Sequence, residues 1–228
     1  REPARGPRIG TLTARVSRLE IPKDRATEFE SLLDSTPEEL PALDIAAEEL
    51  VLGDRSLGSL TLKATNAGSA AAPVWRLDEL QVRNGAAALN ATGVWARSGA
   101  GAQRATSLDF DLDIDDAGAL LAIYGLREAL RGGTGRLSGQ LRWQGSPLAI
   151  DFPSLDGRMR LQMGKGQFLK TDPGLAKLIG VLSLQSLPRR LTLDFRDVFA
   201  EGFSFDEIQG DVQVQSGVAR TDNFQMRG

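Results

Sequence analysis

The sequence predicts a mainly β protein, an antiparallel meander of about eleven strands into which two or three short helices are inserted. Three observations predict this fold class. Apolar and polar residues alternate through most of the chain, and Gly, Asn or Pro separates the alternating stretches at fairly even intervals. Apolar residues at helical spacing occur in only a few short segments. No exact repeat period exists, so a solenoid of identical units is not predicted.

The composition is that of a globular protein without charge-based affinity for nucleic acid. Hydrophobic residues make up 41% of the 228 residues and charged residues 25%, which is enough to bury a core. The 27 basic and 30 acidic residues are interspersed and give a net charge of -3, so neither nucleic acid nor a strongly anionic membrane surface is favoured as a partner. There is no cysteine and no histidine, which excludes disulfides and removes the commonest general base and metal ligand.

We divide this single β-rich segment into three parts, 1–42, 43–163 and 164–228. The first residues, REPARGP, are polar and lack an initiator methionine, so we expect the chain to begin inside a longer protein. Residues 9–20 then read as a strand, and residues 25–33 as a short surface helix.

The second part, 43–163, reads as a series of strands. Residues 43–52, 57–66, 74–83 and 86–96 each alternate between turn residues, and Asn84-Gly85 is a strong hairpin signal. The clearest strand follows, because Leu108, Phe110, Leu112 and Ile114 alternate strictly with aspartates. A helix is predicted over 116–124, and Leu137 and Leu141 belong to the next strand.

The aspartates at 109, 111, 113, 115 and 116 superficially resemble a calcium loop. An EF-hand that began at Asp111 would need Gly at its sixth position and Glu at its twelfth, where the chain has Asp116 and Ala122. Alternating carboxylates on a strand line a solvated face instead. We therefore predict no metal site.

The third part contains the most apolar helix candidate, residues 172–187, which has Asp172 as N-cap, Pro173 in the first turn and Pro188 after its end. Its apolar residues form two faces rather than one. The first face comprises Leu175, Leu178, Ile179 and Leu182, and the second comprises Val181 and Leu184. A helix buried all round is the ordinary explanation; the alternative is that the second face meets an apolar ligand or a membrane surface.

Strand patterns follow this helix, first with Leu191, Leu193 and Phe195 and then with Phe203 and Phe205. The parity of the apolar positions shifts near Asp206-Glu207, which predicts a bulge.

No arrangement of residues indicates an enzyme or a cofactor. Serine nucleophiles lack a histidine partner, and Gly164-Lys165-Gly166 is too short for a phosphate-binding loop. Arg189 and Arg190 could contact a lipid phosphate, although basic residues near a helix end also bind its last carbonyls. From the pattern alone, the apolar strand faces favour a closed β-sandwich core. An open sheet would instead leave them lining a groove.

Several segments resemble the C-terminal part of the YhdP family, AsmA-like envelope proteins of Gram-negative bacteria. The most specific is LPRRLTLDF at 187–195; others are LPALD at 40–44, GVW at 93–95, WQGSP at 143–147, GKGQF at 164–168 and GFSFD at 202–206. The resemblance covers the chain from about residue 40 to its end. It implies an elongated, curled sheet with an open apolar groove, in a periplasmic protein that other parts of the full-length chain anchor in the inner membrane.

The resemblance also implies a function, the carriage of phospholipid between the inner and outer membranes, without a cofactor. The implied groove lining comprises Leu108, Phe110, Leu112, Ile114, Leu137, Leu141, Leu191, Leu193, Phe195, Phe203 and Phe205. The helix of 172–187 would act as a gate, and Arg189 and Arg190 as head-group contacts. Other envelope proteins are further expected partners. The alternative is a non-catalytic structural or adaptor β-sandwich in envelope assembly, whose exposed edges pair with neighbouring β segments.

Overall fold

The computed structural model describes residues 10–22, 41–69, 72–97, 104–147, 150–169 and 202–228. Most of them belong to one long sheet of eleven strands. These strands are β1 (Thr11–Ile21), β2 (Ala42–Leu52), β3 (Arg55–Ser69), β4 (Ala72–Arg83), β5 (Ala87–Arg97), β6 (Arg104–Ile114), β8 (Gly135–Gln144), β9 (Asp156–Met163), β12 (Glu207–Gln215), β13 (Val218–Arg220) and β14 (Gln225–Arg227). A second sheet has three short strands, β7 (Leu130–Gly132), β10 (Gly166–Phe168) and β11 (Phe203–Phe205).

The long sheet follows the order of the chain, from β1 through β6 to β8, β9, β12 and β13, with β14 also paired to β12. From β2 onward every pairing is antiparallel, which confirms the predicted meander. The sheet is open rather than closed into a barrel, and its strands do not form the two facing sheets of the sandwich alternative. The predicted open, mainly β fold is confirmed.

The pairing of β1 with β2 differs from the predicted antiparallel meander, because these two strands are parallel. A parallel neighbour needs a crossover connection of a dozen or more residues, and residues 22–41 are long enough to provide it. The helix predicted at 25–33 falls in that connection and lies outside the described residues.

One α-helix occurs in the described residues, α1 (Ala117–Ile123), where a helix was predicted. Asp116 caps it, since its carboxylate accepts a hydrogen bond of 3.0 Å from the backbone N–H of Ala119. A single 3₁₀ turn, Phe152–Ser154, connects β8 with β9. The helix predicted at 172–187 lies outside the described residues.

Helix α1 and the small sheet pack on one end of the long sheet. Their buried side chains form a cluster, here called the sealed end, that contains Ile114, Ala117, Leu130, Phe205 and Ile208. The chain passes from one sheet to the other at Asp206, so Phe205 and Ile208 both reach this cluster. The parity shift predicted as a bulge is therefore a change of sheet.

Candidate functional site

One face of the long sheet, here called the apolar face, carries no polar side chain over three complete rows of paired residues. The first row is Leu12, Leu43, Ala64, Leu77, Gly93, Leu108, Leu141, Gly157 and Val214; the second is Ala14, Ile45, Leu62, Leu80, Ala91, Phe110, Gly139, Met159 and Val212; the third is Val16, Ala47, Leu60, Val82, Leu89, Leu112, Leu137, Leu161 and Gly210. Each row crosses nine strands. At about 4.8 Å per strand it extends roughly 38 Å.

A bulge in β4 keeps these rows continuous. The register between β3 and β4 shifts so that Ala64 faces Leu77 while Leu62 faces Leu80. Leu77 and Leu80 are three residues apart, so in a regular strand, where side chains alternate, they would lie on opposite faces; Asp78 is the additional residue of the bulge. The bulge thus places both of them on the apolar face.

The apolar face is neither a sealed core nor fully exposed. In its central part, Leu108, Phe110, Leu112, Leu137 and Leu141 are all half-buried. At the β1 edge, Leu12 is 52% exposed and Val16 38%. A continuous, partly exposed apolar surface of this length is typical of a binding surface.

Glycines on the apolar face bring neighbouring strands into contact that a larger residue would prevent. A Cβ added to Gly139 would collide with the carbonyl oxygen of Arg158, and one added to Gly157 with that of Gln140. The side chains of Met159 and Leu141 lie over these two glycines. Glycine at such positions permits the sharp bending of a curled sheet.

The opposite face of the sheet is polar and contains most of the ion pairs. Arg15 Nη2 lies 2.8 Å from Asp44 Oδ2, and Lys63 Nζ lies 2.7 Å from Glu79 Oε2. The hydrogen bond from Arg15 lowers the pKa of Asp44 below its ordinary value. These ion pairs are exposed, so the polar face is solvated, and each pair contributes little to the free energy of unfolding.

The aspartates of β6 belong to this polar face, as the alternation predicted. Arg136 Nε on β8 lies 2.9 Å from Asp111 Oδ1 and 2.8 Å from Asp113 Oδ1. In the described part of the chain, no group of three or more carboxylates is arranged to hold a metal ion. Nor does any helix of that part have the length and hydropathy needed to cross a membrane.

The two ends of the strands differ in chemistry. Towards α1, the apolar face runs into the sealed end. Towards the other end lies a row of large side chains, here called the tryptophan rim, in which Trp75 is paired with Trp95, Trp95 with Thr106, and Thr106 with Trp143. Trp95 is 1% exposed and Trp143 2%. The apolar face therefore has one hydrocarbon border and one aromatic border.

The structure brings six of the predicted groove residues together on neighbouring strands. Leu108 faces Leu141, and Leu112 faces Leu137, while Phe110 and Ile114 face Gly139 and Gly135. Ile114 lies where the apolar face meets the sealed end.

Phe203 and Phe205 lie in the small sheet, away from the three rows. Phe205 is 2% exposed, and its ring is 5.2 Å from that of Phe168, so it belongs to the packed cluster of the sealed end. The remaining predicted site residues lie outside the described residues. They are Leu175, Leu178, Ile179, Val181, Leu182, Leu184, Arg189, Arg190, Leu191, Leu193 and Phe195.

Sequence reasoning missed the tryptophan rim. The three tryptophans are far apart in the chain, and only the strand register brings them side by side. One signal was present: the apolar positions of β4 change from odd at Trp75 and Leu77 to even at Leu80 and Val82, which indicates the bulge that places Trp75 on the apolar face.

Comparisons with known proteins agree with the resemblance in the sequence. The family model described as YhdP protein matches residues 3–228. The intermembrane phospholipid transporter YhdP of Escherichia coli (strain K12) is 32% identical over 148 residues, which cover 64% of this chain and 12% of that protein. No solved structure matches the chain. The chain thus corresponds to a small part of the length of its curated relative.

Proposed function

The chain belongs to the YhdP family, and from that premise we propose that it is a segment of a conduit whose apolar face carries phospholipid between the inner and outer membranes. The observation that carries the proposal is the set of three apolar rows, which cross nine strands without one polar side chain. The curated relative is an intermembrane phospholipid transporter by name, which supports the same cargo.

The proposed mechanism needs no covalent step and no cofactor. Acyl chains bind by burying methylene groups, each of which contributes about 0.8 kcal/mol. Every strand presents similar apolar side chains, so no position along a row binds the lipid much more tightly than the next. A lipid can therefore move along a row without a large energy barrier. The half-buried central residues, among them Leu108, Phe110 and Leu141, supply the contact area.

The proposal places this segment in the periplasm, as part of a protein that other segments anchor in the inner membrane. Other envelope proteins are proposed partners of the whole protein. Leu191, Leu193 and Phe195 keep their proposed place in the groove lining, and Arg189 and Arg190 keep theirs as head-group contacts. The helix of 172–187 keeps its proposed role as a gate.

The test is lipid binding by the purified chain, measured by native mass spectrometry after incubation with phosphatidylethanolamine or phosphatidylglycerol. We expect bound lipid in the wild type and its loss in Phe110→Asp, which puts a carboxylate in the middle of the second row. Asp109→Ala is the matched control, since Asp109 is the exposed neighbour of Phe110 on the polar face. A wild-type chain that binds neither lipid would refute the proposal, as would equal loss of binding in both variants.

A further inference from the structure

We propose that the apolar face selects its lipid by acyl chain length, because the tryptophan rim and the sealed end limit the length of chain that it can cover. The acyl chain lies along the strands, with its ester end at the rim and its methyl end at the sealed end. This inference rests on the proposed function, since it specifies which lipid the same face prefers. Movement along a row then keeps the chain across the same three rows.

The first observation is the change in burial along β6. On the apolar face of this strand, Thr106 is 2% exposed and Ile114 is 8% exposed. The three residues between them on the same face are half-buried; they are Leu108, Phe110 and Leu112. The apolar surface that a lipid can reach on this strand is therefore a window, with a closed border at each end.

The second observation is that the window has the same length on the neighbouring strands. Each border residue of β6 is paired on both sides, with Trp95 and Ala87 of β5 and with Trp143 and Gly135 of β8. Positions 106 and 114 of β6 are eight residues apart, as are positions 87 and 95 of β5 and positions 135 and 143 of β8. The two borders therefore run parallel across these three strands.

The length of the window can be converted into a number of carbons. At about 3.3 Å per residue, the borders are about 26 Å apart, and the half-buried part from Leu108 to Leu112 extends about 13 Å. The window lies between these lengths, because the border side chains occupy part of the longer one. An extended chain with C–C bonds of about 1.52 Å at about 111° advances about 1.25 Å per carbon. The middle of the range, about 20 Å, therefore corresponds to about 16 carbons.

The third observation gives the acyl chain its direction, because the two borders differ in polarity. The tryptophan rim carries polar groups, since the indole N–H of Trp75 donates to Pro41 O at 3.3 Å and that of Trp143 donates to Ser146 O at 2.8 Å. The buried cluster of the sealed end consists of hydrocarbon side chains. Tryptophan, with an apolar body and a polar tip, favours the boundary between hydrocarbon and polar groups. The ester end of the lipid therefore belongs at the rim.

The first experiment measures the preferred length. The purified chain is incubated with vesicles that contain equal amounts of phosphatidylethanolamines with paired acyl chains of about 10 to 22 carbons, which brackets the two lengths above. Native mass spectrometry of the bound lipid should show a maximum at about 16 carbons. Shorter chains leave part of the window uncovered. Longer chains leave methylene groups in water, which lowers the bound amount about fourfold for each methylene.

The double variant Leu112→Gln/Leu137→Gln tests the sealed end as the limit. The two leucines face each other in the third row, and both are half-buried, so the variant should fold. A polar third row shortens the window by two residues, about 6.6 Å or about five carbons, so the maximum should move to about 11 carbons. Leu137→Gln alone is the milder variant and should move the maximum in the same direction.

Val94→Gln is the matched control. Val94 is 40% exposed and lies on the polar face of β5, directly behind the window, so the maximum should stay in place. Bound lipid with the same composition as the vesicles would overturn the inference and leave the proposed function standing. A maximum that stays in place in both leucine variants would do the same. A wild type that binds none of these lipids would refute the proposed function itself.

The second experiment tests the direction of the acyl chain. The sequence has three tryptophans, and all three belong to the tryptophan rim, so their fluorescence reports on this border alone. Bromine quenches tryptophan fluorescence only at short range. Phosphatidylethanolamine brominated near the ester end of its chains should therefore quench more strongly than the same lipid brominated near the methyl end. Equal quenching by the two lipids, or stronger quenching from the methyl end, would overturn the assigned direction.

Discussion

Replacing Phe110 or Phe205 by aspartate should have very different effects on folding. Phe205 is 2% exposed and packs against Phe168 in the sealed end. Loss of a core phenylalanine alone destabilises a protein by about 3–5 kcal/mol. An unpaired buried carboxylate adds several kcal/mol. The sum is comparable with the whole stability of an ordinary domain, about 5–15 kcal/mol. Phe205→Asp should therefore not fold.

Phe110 is half-buried in the middle of the second row, so a carboxylate there keeps access to water. The loss is bounded by the transfer free energy of the phenyl ring, about 1.5–3 kcal/mol. For a chain of this size, each kcal/mol corresponds to about 2–4 °C in melting temperature. Phe110→Asp should therefore fold and melt about 3–12 °C below the wild type.

Circular dichroism measures both effects, with the far-ultraviolet spectrum for strand content and thermal scans for melting. The sheet signal should be retained in Phe110→Asp and absent in Phe205→Asp at 25 °C. An unfolded Phe110→Asp would mean that the central part of the apolar face is sealed core, which contradicts the proposed groove. A folded Phe205→Asp would mean that the sealed end is not closed.

Three other predictions follow from the sheet. Gly157→Val should lower both the melting temperature and lipid binding, because the added atoms collide with the carbonyl of Gln140; unchanged melting would show that the sheet needs no glycine there. Arg160 and Asn223 hydrogen-bond Asp211 and lower its pKa from the ordinary 3.8. The stability that Asp211 contributes is therefore complete above about pH 5 and lost as pH falls through its lowered pKa; Asp211→Asn should lose less of its urea midpoint between about pH 5 and pH 3 than the wild type, and an equal loss would contradict this. In the helix predicted at 172–187, Leu178→Lys should be strongly destabilising while Leu184→Lys should mainly impair lipid passage; equal losses of melting temperature would make that helix ordinary core.

The features that could be predicted from the sequence are those that depend on a single strand or helix. The alternation from Leu108 to Ile114 identified both the strand and its apolar face, because a period of two needs only local information. The helix predicted over 116–124 corresponds to α1 for the same reason, since a short helix is also specified by local residues. The order of the strands was also within reach, because consecutive hairpins leave few alternatives.

Features that depend on register between distant strands were not predictable. The parallel partner of β1 lies across residues 22–41, and nothing within the strand distinguishes a parallel from an antiparallel neighbour. Phe203 and Phe205 have the same alternation as a groove strand, yet the chain changes sheet at Asp206, which places both in the small sheet and buries Phe205. The tryptophan rim likewise becomes visible only with the register of β4, β5, β6 and β8.

The proposed lipid transport would set two opposing demands on this surface, and a β-sheet can meet both because its properties along the strands and across the strands are specified separately. Movement requires uniformity, so that no position holds the lipid in place; the three rows provide this across the strands. A fixed orientation of the lipid requires that the two borders of the surface differ, and they do differ along the strands, from the hydrocarbon of the sealed end to Trp95 and Trp143 at the tryptophan rim. The alternation within each strand determines which residues lie on the apolar face, and the length of the strand determines the distance between the two borders. The register between strands repeats both features across the sheet. A closed sandwich would bury the same side chains and leave neither direction available to a lipid.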